Sequence, residues 1–178
     1  ACTQKVGTLI TNEDGRAGYY LDPGTYWAKE TGDEHGRFED EYWMVDETVH
    51  KFAIKPHEDV SITFTNVQYG RLKISKTVEG GGSVEGWQFK ITDAEGKVLD
   101  GSPFSTDEDG IILTGNLLPG QYTVEELLLE NSLYACKGDN PQTVTITQGE
   151  IAEVAFVNAL RTGKVTVEKI DITGSPLA

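Results

Sequence analysis

Lys76, Glu126 and Asn158 stand where chemistry is possible. Each ends a run in which apolar and polar side chains alternate: Leu72, Ile74, Lys76; Tyr122, Val124, Glu126; and Val154, Phe156, Asn158. In a β-strand, residues i, i+2 and i+4 share one face. The apolar face of each run is its core face, so an amine, a carboxyl and a carboxamide are all carried inward. A lone buried ammonium or carboxylate is costly, so such groups pair, neutralise or react. Burial moves a lysine pKa down and a glutamate pKa up. A neutral amine is a nucleophile. A neutral carboxylic acid can hydrogen-bond an amide carbonyl, polarise it and relay protons. The chemistry allowed is attack of Lys76 Nζ on Asn158 Cγ, with loss of ammonia and formation of an isopeptide cross-link. Two blander readings fit the same residues. The polar groups could lie at strand ends and snorkel to water, or Lys76 and Glu126 could form a buried, unreacted ion pair with Asn158 as a hydrogen-bond partner.

The strands that must position these residues are visible in the same alternation. Leu72–Ile74, Phe89–Ile91, Val144–Ile146, Val60–Phe64 and Val165–Val167 read as strands. Segment Val124–Leu129 follows a turn and reads as strand rather than helix. Asn12-Glu-Asp-Gly15 and Asp107-Glu-Asp-Gly110 read as hairpin turns. Pro23-Gly24 and Pro119-Gly120 read as type II turns. Short strands at this spacing predict a β-sandwich with Greek-key or related connections.

The chain repeats itself. Thr11–Tyr26 recurs as Thr106–Tyr122, Ile62–Asn66 as Val154–Asn158, and Gly70–Lys76 as Gly163–Lys169. The period is about 93 residues, a common domain size. The inward polar residues recur with it. Glu30 follows Tyr26 and Ala28, Asn66 follows Ile62 and Phe64, and Lys169 follows Val165 and Val167. Residues 70–161 read as one complete domain. Residues 1–69 read as the C-terminal part of a first domain without its opening strands, and residues 162–178 as the opening strand of a third repeat. This phase is expected of a piece of a longer tandem array. The joints Val67–Gly70 and Ala159–Gly163 are short and lack a Gly/Ser run, which predicts domains joined end to end in a fairly stiff rod.

Composition narrows the function classes. The 178 residues carry 15 Lys and Arg against 29 Asp and Glu, a formal net charge of −14. That sign argues against nucleic acid, whose binding needs a basic footprint, and against anionic lipid. No apolar run is long enough to span a bilayer. Two cysteines make no disulfide scaffold, no Cys/His cluster has zinc spacing, and three scattered histidines offer little for catalysis. Twenty glycines and a 38% hydrophobic share suit a turn-rich β protein. The acidic turns at Asp107 and Asn12 lack the rest of an EF-hand loop. Gly80–Ser83 lacks the lysine of a phosphate loop. Trp27, Trp43 and Trp87 are expected in cores or joints rather than stacked on sugars. A Cys2–Cys136 bridge would need domains to fold back on one another.

The ordered set Gly70-Arg-Leu-Lys-Ile-Ser-Lys76, Gly86–Gly96, Thr106–Gly110, Leu118–Glu126 and Val154–Asn158 resembles the CnaB-type (SpaA-like, prealbumin-like) repeat domains of Gram-positive surface adhesins and pilins. The resemblance covers essentially the whole chain. It implies an all-β fold of tandem Ig-like, prealbumin-like β-sandwiches. It also implies a Lys–Asn isopeptide bond between first and last strands, assisted by a glutamate. Position by position, Lys76 is then the amine, Asn158 the amide and Glu126 the promoting acid. Glu30 and Asn66 match the acid and amide of the first repeat, and Lys169 the amine of the following one; their mates lie outside their own repeat fragments. The chain departs from the family at Leu127–Cys136, where an apolar "A-P-x-G-Y" stretch usually follows the glutamate.

The function expected is a stalk or spacer segment of a secreted, wall-attached protein of a Gram-positive bacterium. It would be a single-turnover self-cross-linker rather than an enzyme, with no cofactor and no metal. Its expected partners are neighbouring repeats of the same protein, with host extracellular protein or glycan contacted through other domains. Strand exchange between chains, placing Lys169 beside Glu30 and Asn66, is a further expectation. The alternative function is a module that itself binds host protein or glycan.

Overall fold

The computed structural model describes residues 4–32, 42–170 and 172–173. Within them, twelve strands occur and no helix. Eight strands build a sandwich between Gly70 and Leu160: β5 (Arg71–Val78), β6 (Gln88–Asp93), β7 (Phe104–Ser105), β8 (Ile111–Leu113), β9 (Gly120–Glu126), β10 (Tyr134–Cys136), β11 (Gln142–Ile146) and β12 (Ile151–Leu160). One sheet has the order β10-β12-β5-β8 and the other β11-β9-β6-β7. The last strand returns beside the first, and β5 and β12 run parallel, with Arg71 opposite Ile151 and Val78 opposite Asn158.

The core lies between the two sheets. Leu72, Ile74, Phe89, Ile91, Val124, Ile146 and Phe156 are essentially inaccessible to solvent. All come from the alternating positions that the sequence marks as inward. Burying a side chain of this size contributes about 1.5–3 kcal/mol. Phe89 and Phe156 meet across the sandwich with ring centroids 5.0 Å apart.

Four strands lie earlier in the chain. β1 (Gly24–Ala28) pairs antiparallel with β3 (His50–Ile54), and β2 (Trp43–Met44) with β4 (Val67–Gln68). The expected strand at Val60–Phe64 does not form; residues 59–66 carry no strand pairing. Residues 161–169 likewise carry none, and Val165 and Val167 face solvent. Alternation makes a segment competent to be a strand, but a strand exists only when a neighbour accepts its hydrogen bonds. The joint between β4 and β5 is hydrogen-bonded on both sides: Tyr69 N–H donates to Tyr42 O at 2.8 Å, and Tyr69 O accepts from Gly149 N–H at 3.1 Å.

Several turns differ from expectation. Gly120 has φ of 155°, and Gly24 is not in a positive-φ conformation, so neither Pro-Gly pair is a type II turn. Each glycine instead begins a strand. The bend is held by a tyrosine two residues on, whose hydroxyl donates to the carbonyl four residues upstream: Tyr122 to Leu118 O and Tyr26 to Asp22 O, both at 2.9 Å. The Asp107 turn is not a hairpin between paired strands. It carries the chain from β7 in one sheet to β8 in the other. Asp107 Oδ1 accepts from the N–H groups of Asp109 and Ile111, and Asn12 Oδ1 does the same for Asp14 and Arg16. The carboxylate is thus employed within the turn. β9 stops at Glu126 rather than running to Leu129.

Gly110 closes the Asp107 turn against the site strand. Its φ is +77°, and a Cβ there would lie 2.6 Å from Lys76 O and 2.9 Å from Val84 Cβ. Gly110→Ala is expected to destabilise the fold by roughly 2–4 kcal/mol, from a left-handed backbone plus overpacking. Tyr122→Phe, which removes one hydrogen bond, should cost only about 1 kcal/mol. Denaturant midpoints of the two variants check that order.

Candidate functional site

β5, β9 and β12 each deliver their last fully buried residue to one place. Lys76, Glu126 and Asn158 are 2%, 2% and 0% exposed, which excludes snorkelling to water. Lys76 Nζ lies 2.7 Å from Glu126 Oε1, off the direction of an aligned hydrogen bond. Asn158 Nδ2 donates to the same Oε1 at 3.1 Å. One carboxylate oxygen therefore touches both the amine and the amide nitrogen. Glu126 Oε2 and Asn158 Oδ1 are buried and have no hydrogen-bond partner.

The backbone around each residue is fixed. Lys76 N–H donates to Gly110 O at 2.8 Å, on the side away from β12. Phe156 lies opposite Lys76 in the parallel ladder. Asn158 O accepts from Glu79 N–H at 2.7 Å. Beyond the last β9–β11 pair, Val124 with Gln142, the Asn140 side chain continues the ladder. Its Oδ1 accepts from Glu126 N–H at 2.8 Å, and its Nδ2 donates to Glu126 O at 3.0 Å. Glu125 points outward and pairs with Lys90, so the glutamate chosen by parity is the buried one.

Electrostatics at Lys76 are a contest. Burial lowers its pKa from the ordinary 10.5, and the close contact with Glu126 and its charge oppose that shift. The Trp87 ring, with its centroid 4.2 Å from Nζ, also favours the charged form. The net direction is downward, because desolvation is the largest effect. Cys136 stands opposite Asn158 in the β10–β12 ladder. Burial, then the Glu126 charge, pushes its thiol pKa upward, which keeps it a thiol.

Sequence reasoning missed three of these neighbours. Trp87 had a signal: it begins the inward stripe Trp87, Phe89, Ile91. Asn140 and Cys136 had none, because a loop side chain and one on a short edge strand acquire their neighbours only through the closing of the sandwich. Cys136 is a free thiol; Cys2 lies outside the described residues.

The earlier part of the chain repeats half of the site. Asn66 Nδ2 donates to Glu30 Oε1 at 2.8 Å, the same atoms as in the Asn158–Glu126 contact. Asn66 Oδ1 accepts from Asp46 N–H at 2.8 Å, and Glu30 Oε2 is buried without a partner. Lys169 is brought to neither site and stands exposed.

A family model for the SpaA prealbumin-like fold domain matches residues 70–160. No curated protein matches the chain in sequence. Among solved structures it is similar to the minor pilin GBS52 of Streptococcus agalactiae, at 22% identity and a TM-score of 0.48 over 89% of this chain and 70% of that one. It is also similar to the Bacillus anthracis TIE protein, at 21% identity and a TM-score of 0.46 over 96% of this chain and 35% of that one. A third is the shaft pilin SpaA of Lactobacillus rhamnosus GG, at 12% identity and a TM-score of 0.39 over 92% of this chain and 70% of that one. The chain thus spans about a third of the length of the TIE protein. The matched segment is the sandwich that encloses Lys76, Glu126 and Asn158, and the chain belongs to the SpaA prealbumin-like fold domain family.

Proposed function

We propose that this chain is a structural stalk segment of a Gram-positive surface protein, an adhesin or pilus-like assembly, locked by a self-formed isopeptide bond between Lys76 and Asn158. Residues 70–161 are its complete domain, residues 1–69 belong to a preceding one, and residues 162–178 open the next. The observation that carries this reading is one Glu126 oxygen held between the amine and the amide nitrogen in a dry core.

That geometry supports a proton path. Moving one proton from Lys76 to Glu126 turns a buried ion pair into a neutral amine and a neutral acid, the form that low dielectric favours. The amine lone pair adds to Asn158 Cγ, giving a tetrahedral intermediate with charge on Oδ1. Glu126 then delivers a proton to Nδ2 and takes one from the attacking nitrogen. The Cγ–Nδ2 bond breaks, ammonia leaves, and Lys76 Nζ remains bonded to Asn158 Cγ. The site does this once, so the product is a structure and not a turnover.

Intact mass is the direct test. Folded protein should weigh about 17 Da less than its sequence, one ammonia lost to covalent capture by the amine. Lys76→Ala should restore the full mass. Glu126→Gln should slow formation by about 100-fold or more, the scale of a lost general acid–base. An unshifted mass in well-folded wild-type chain would remove the bond from the account.

Closing a loop of about 80 residues should also stabilise by ~4 kcal/mol in the loop-entropy model. A Glu126→Gln chain that lacks the bond should therefore unfold at a clearly lower denaturant concentration than the wild type.

The rate should show a bell-shaped pH profile, because the reactive pair holds one proton between two groups. Adding a second proton at acid pH leaves an ammonium. Removing the last one at alkaline pH leaves no acid. Burial lowers the Lys76 pKa, so the alkaline limb should be centred below the ordinary lysine value of 10.5. Chain held unfolded after synthesis and then diluted into buffers of graded pH, with mass followed over time, measures it. A rate that keeps rising through pH 10.5 would contradict the shared-proton state.

A further inference from the structure

Attack on Asn158 Cγ puts negative charge on Oδ1, and a donor aimed at that oxygen is usually the largest help such a step receives. Asn158 is 0% exposed, so solvent does not supply one, and Oδ1 has no hydrogen-bond partner. Glu126 is occupied elsewhere. Its Oε1 accepts from the amide nitrogen at 3.1 Å, and the single proton it takes up is the one Nδ2 needs in order to leave. Donors around the site are already committed. Lys137 N–H donates to Val157 O at 2.7 Å, and Lys137 Nζ to Glu79. Asn140 Nδ2 donates to Glu126 O, and Trp87 Nε1 to Ser83 O.

Cys136, a free thiol, is the next group along. It faces Asn158 across the β10–β12 ladder. The neighbouring rung, Lys137 with Val157, is hydrogen-bonded, and Asn158 O turns the other way to accept from Glu79 N–H. Cys136 and Asn158 are therefore a non-hydrogen-bonded pair, the kind whose side chains approach most closely. Directly opposed residues of an antiparallel pair share a face. The thiol is thus carried to the same side as the carboxamide, packed against the core. Burial, then the Glu126 charge, pushes its pKa upward, so it keeps its proton where an ordinary cysteine begins to lose one.

The earlier cluster meets the same need by another route. One step along from the Met44–Val67 pair, Val45 stands opposite Asn66, and Asp46 takes the place of Lys137. There the Asp46 N–H donates to Asn66 Oδ1 at 2.8 Å. In the sandwich the corresponding N–H, that of Lys137, is spent on Val157 O. The side chain opposite the asparagine is a valine where the backbone supplies Oδ1, and a thiol where it does not.

We propose that Cys136 is the oxyanion donor of this site, its S–H hydrogen-bonding Asn158 Oδ1 as the Nζ–Cγ bond forms. The role rests on the Lys76–Asn158 reading. The thiol gives up no proton and makes no covalent bond. As Nζ adds to Cγ, the carbonyl electron pair moves to Oδ1. Glu126 passes a proton from the attacking nitrogen to Nδ2, the Cγ–Nδ2 bond breaks, ammonia leaves and the carbonyl re-forms. Before attack the Glu126 carboxylate is the charged acceptor beside the thiol. Once Glu126 is protonated the negative charge has moved to Oδ1, and rotation about the Cys136 Cβ–Sγ bond lets the S–H follow it. Oδ1 has no partner beforehand, so this hydrogen bond is gained in the transition state, where it raises the rate.

Timing the loss of ammonia tests this. Chain held unfolded in reductant is diluted into folding buffer, and intact mass is followed. Cys136→Ala and Cys136→Val, which remove the donor, should each slow the loss by roughly 10-fold; a thiol is weaker than the donors whose removal costs roughly 100-fold or more. Cys136→Ser, which keeps an O–H at the position, should stay within about threefold of the wild type. In a Lys76→Ala background no bond forms, so denaturant midpoints of the same three variants report packing alone. The rate should follow the donor, with Ser ahead of Val whatever the order of midpoints; should Cys136→Ala not fold, the Ser–Val comparison decides. Val as fast as Ser, or rates that track the midpoints, would overturn the proposal. Equal rates in wild type, Ala and Val would overturn it too, while leaving the Lys76–Asn158 bond in place. A wild-type chain that loses no ammonia would overturn the bond itself, and this role with it.

Discussion

The structure depends on an ammonium and a carboxylate placed where water cannot reach them. Lys76 and Glu126 have no exposed side-chain surface and face each other, Asn158 and the Trp87 ring. Breaking such a pair by removing one partner typically costs about 3–5 kcal/mol, while replacing both with well-packed apolar groups is often neutral or favourable. A fold that needed only stability would fill this space with apolar side chains, as it does two residues earlier on each strand with Ile74, Val124 and Phe156. The sandwich instead spends three inward positions on polar groups and surrounds them with an unusually regular frame. Gly110 O accepts from the Lys76 N–H, and Asn140 clamps both backbone groups of Glu126.

Much of this was legible in the residues. Period-two alternation marks Leu72, Ile74, Val124 and Phe156 as core, and the same parity sends Lys76, Glu126 and Asn158 inward. It also separates Glu126 from Glu125, which pairs with Lys90 at the surface. The repeat identifies Glu30 and Asn66 as equivalents, and their side chains do meet. What parity cannot report is whether a partner strand is present. Val60–Phe64 and Val165–Val167 alternate as well as any strand in the sandwich, yet neither is paired. The Pro-Gly pairs depart from type II turns for a related reason. Their conformation is governed by a tyrosine hydroxyl reaching back four residues, not by the dipeptide alone. Asn140 and Cys136 reach the site from loops and a short edge strand, where spacing carries no facing information.

The two polar clusters illuminate each other. Both place the amide nitrogen on one glutamate oxygen, at 3.1 Å in the complete sandwich and 2.8 Å in the earlier segment. The acid–amide contact therefore does not require the lysine to assemble it. It is set by the strand that follows the tyrosine-held bend and by the segment ending in asparagine. Burial is what differs: Asn158 is sealed while Asn66 is open, and the sealed site is the one flanked by a lysine strand.

The parallel pairing of β5 with β12 has a mechanical consequence. In such a pair, the entry of the first strand and the exit of the last lie at opposite ends. Tension applied through Gly70 and Leu160 then pulls the two strands along their length. The ladder between Arg71–Val78 and Ile151–Asn158 is loaded in shear, so its rungs resist together instead of opening one after another as in a zipper. Lys76 and Asn158 lie near the downstream end of that ladder, where load entering along β5 leaves through β12, and the 77–157 segment hangs as a loop outside the line of force.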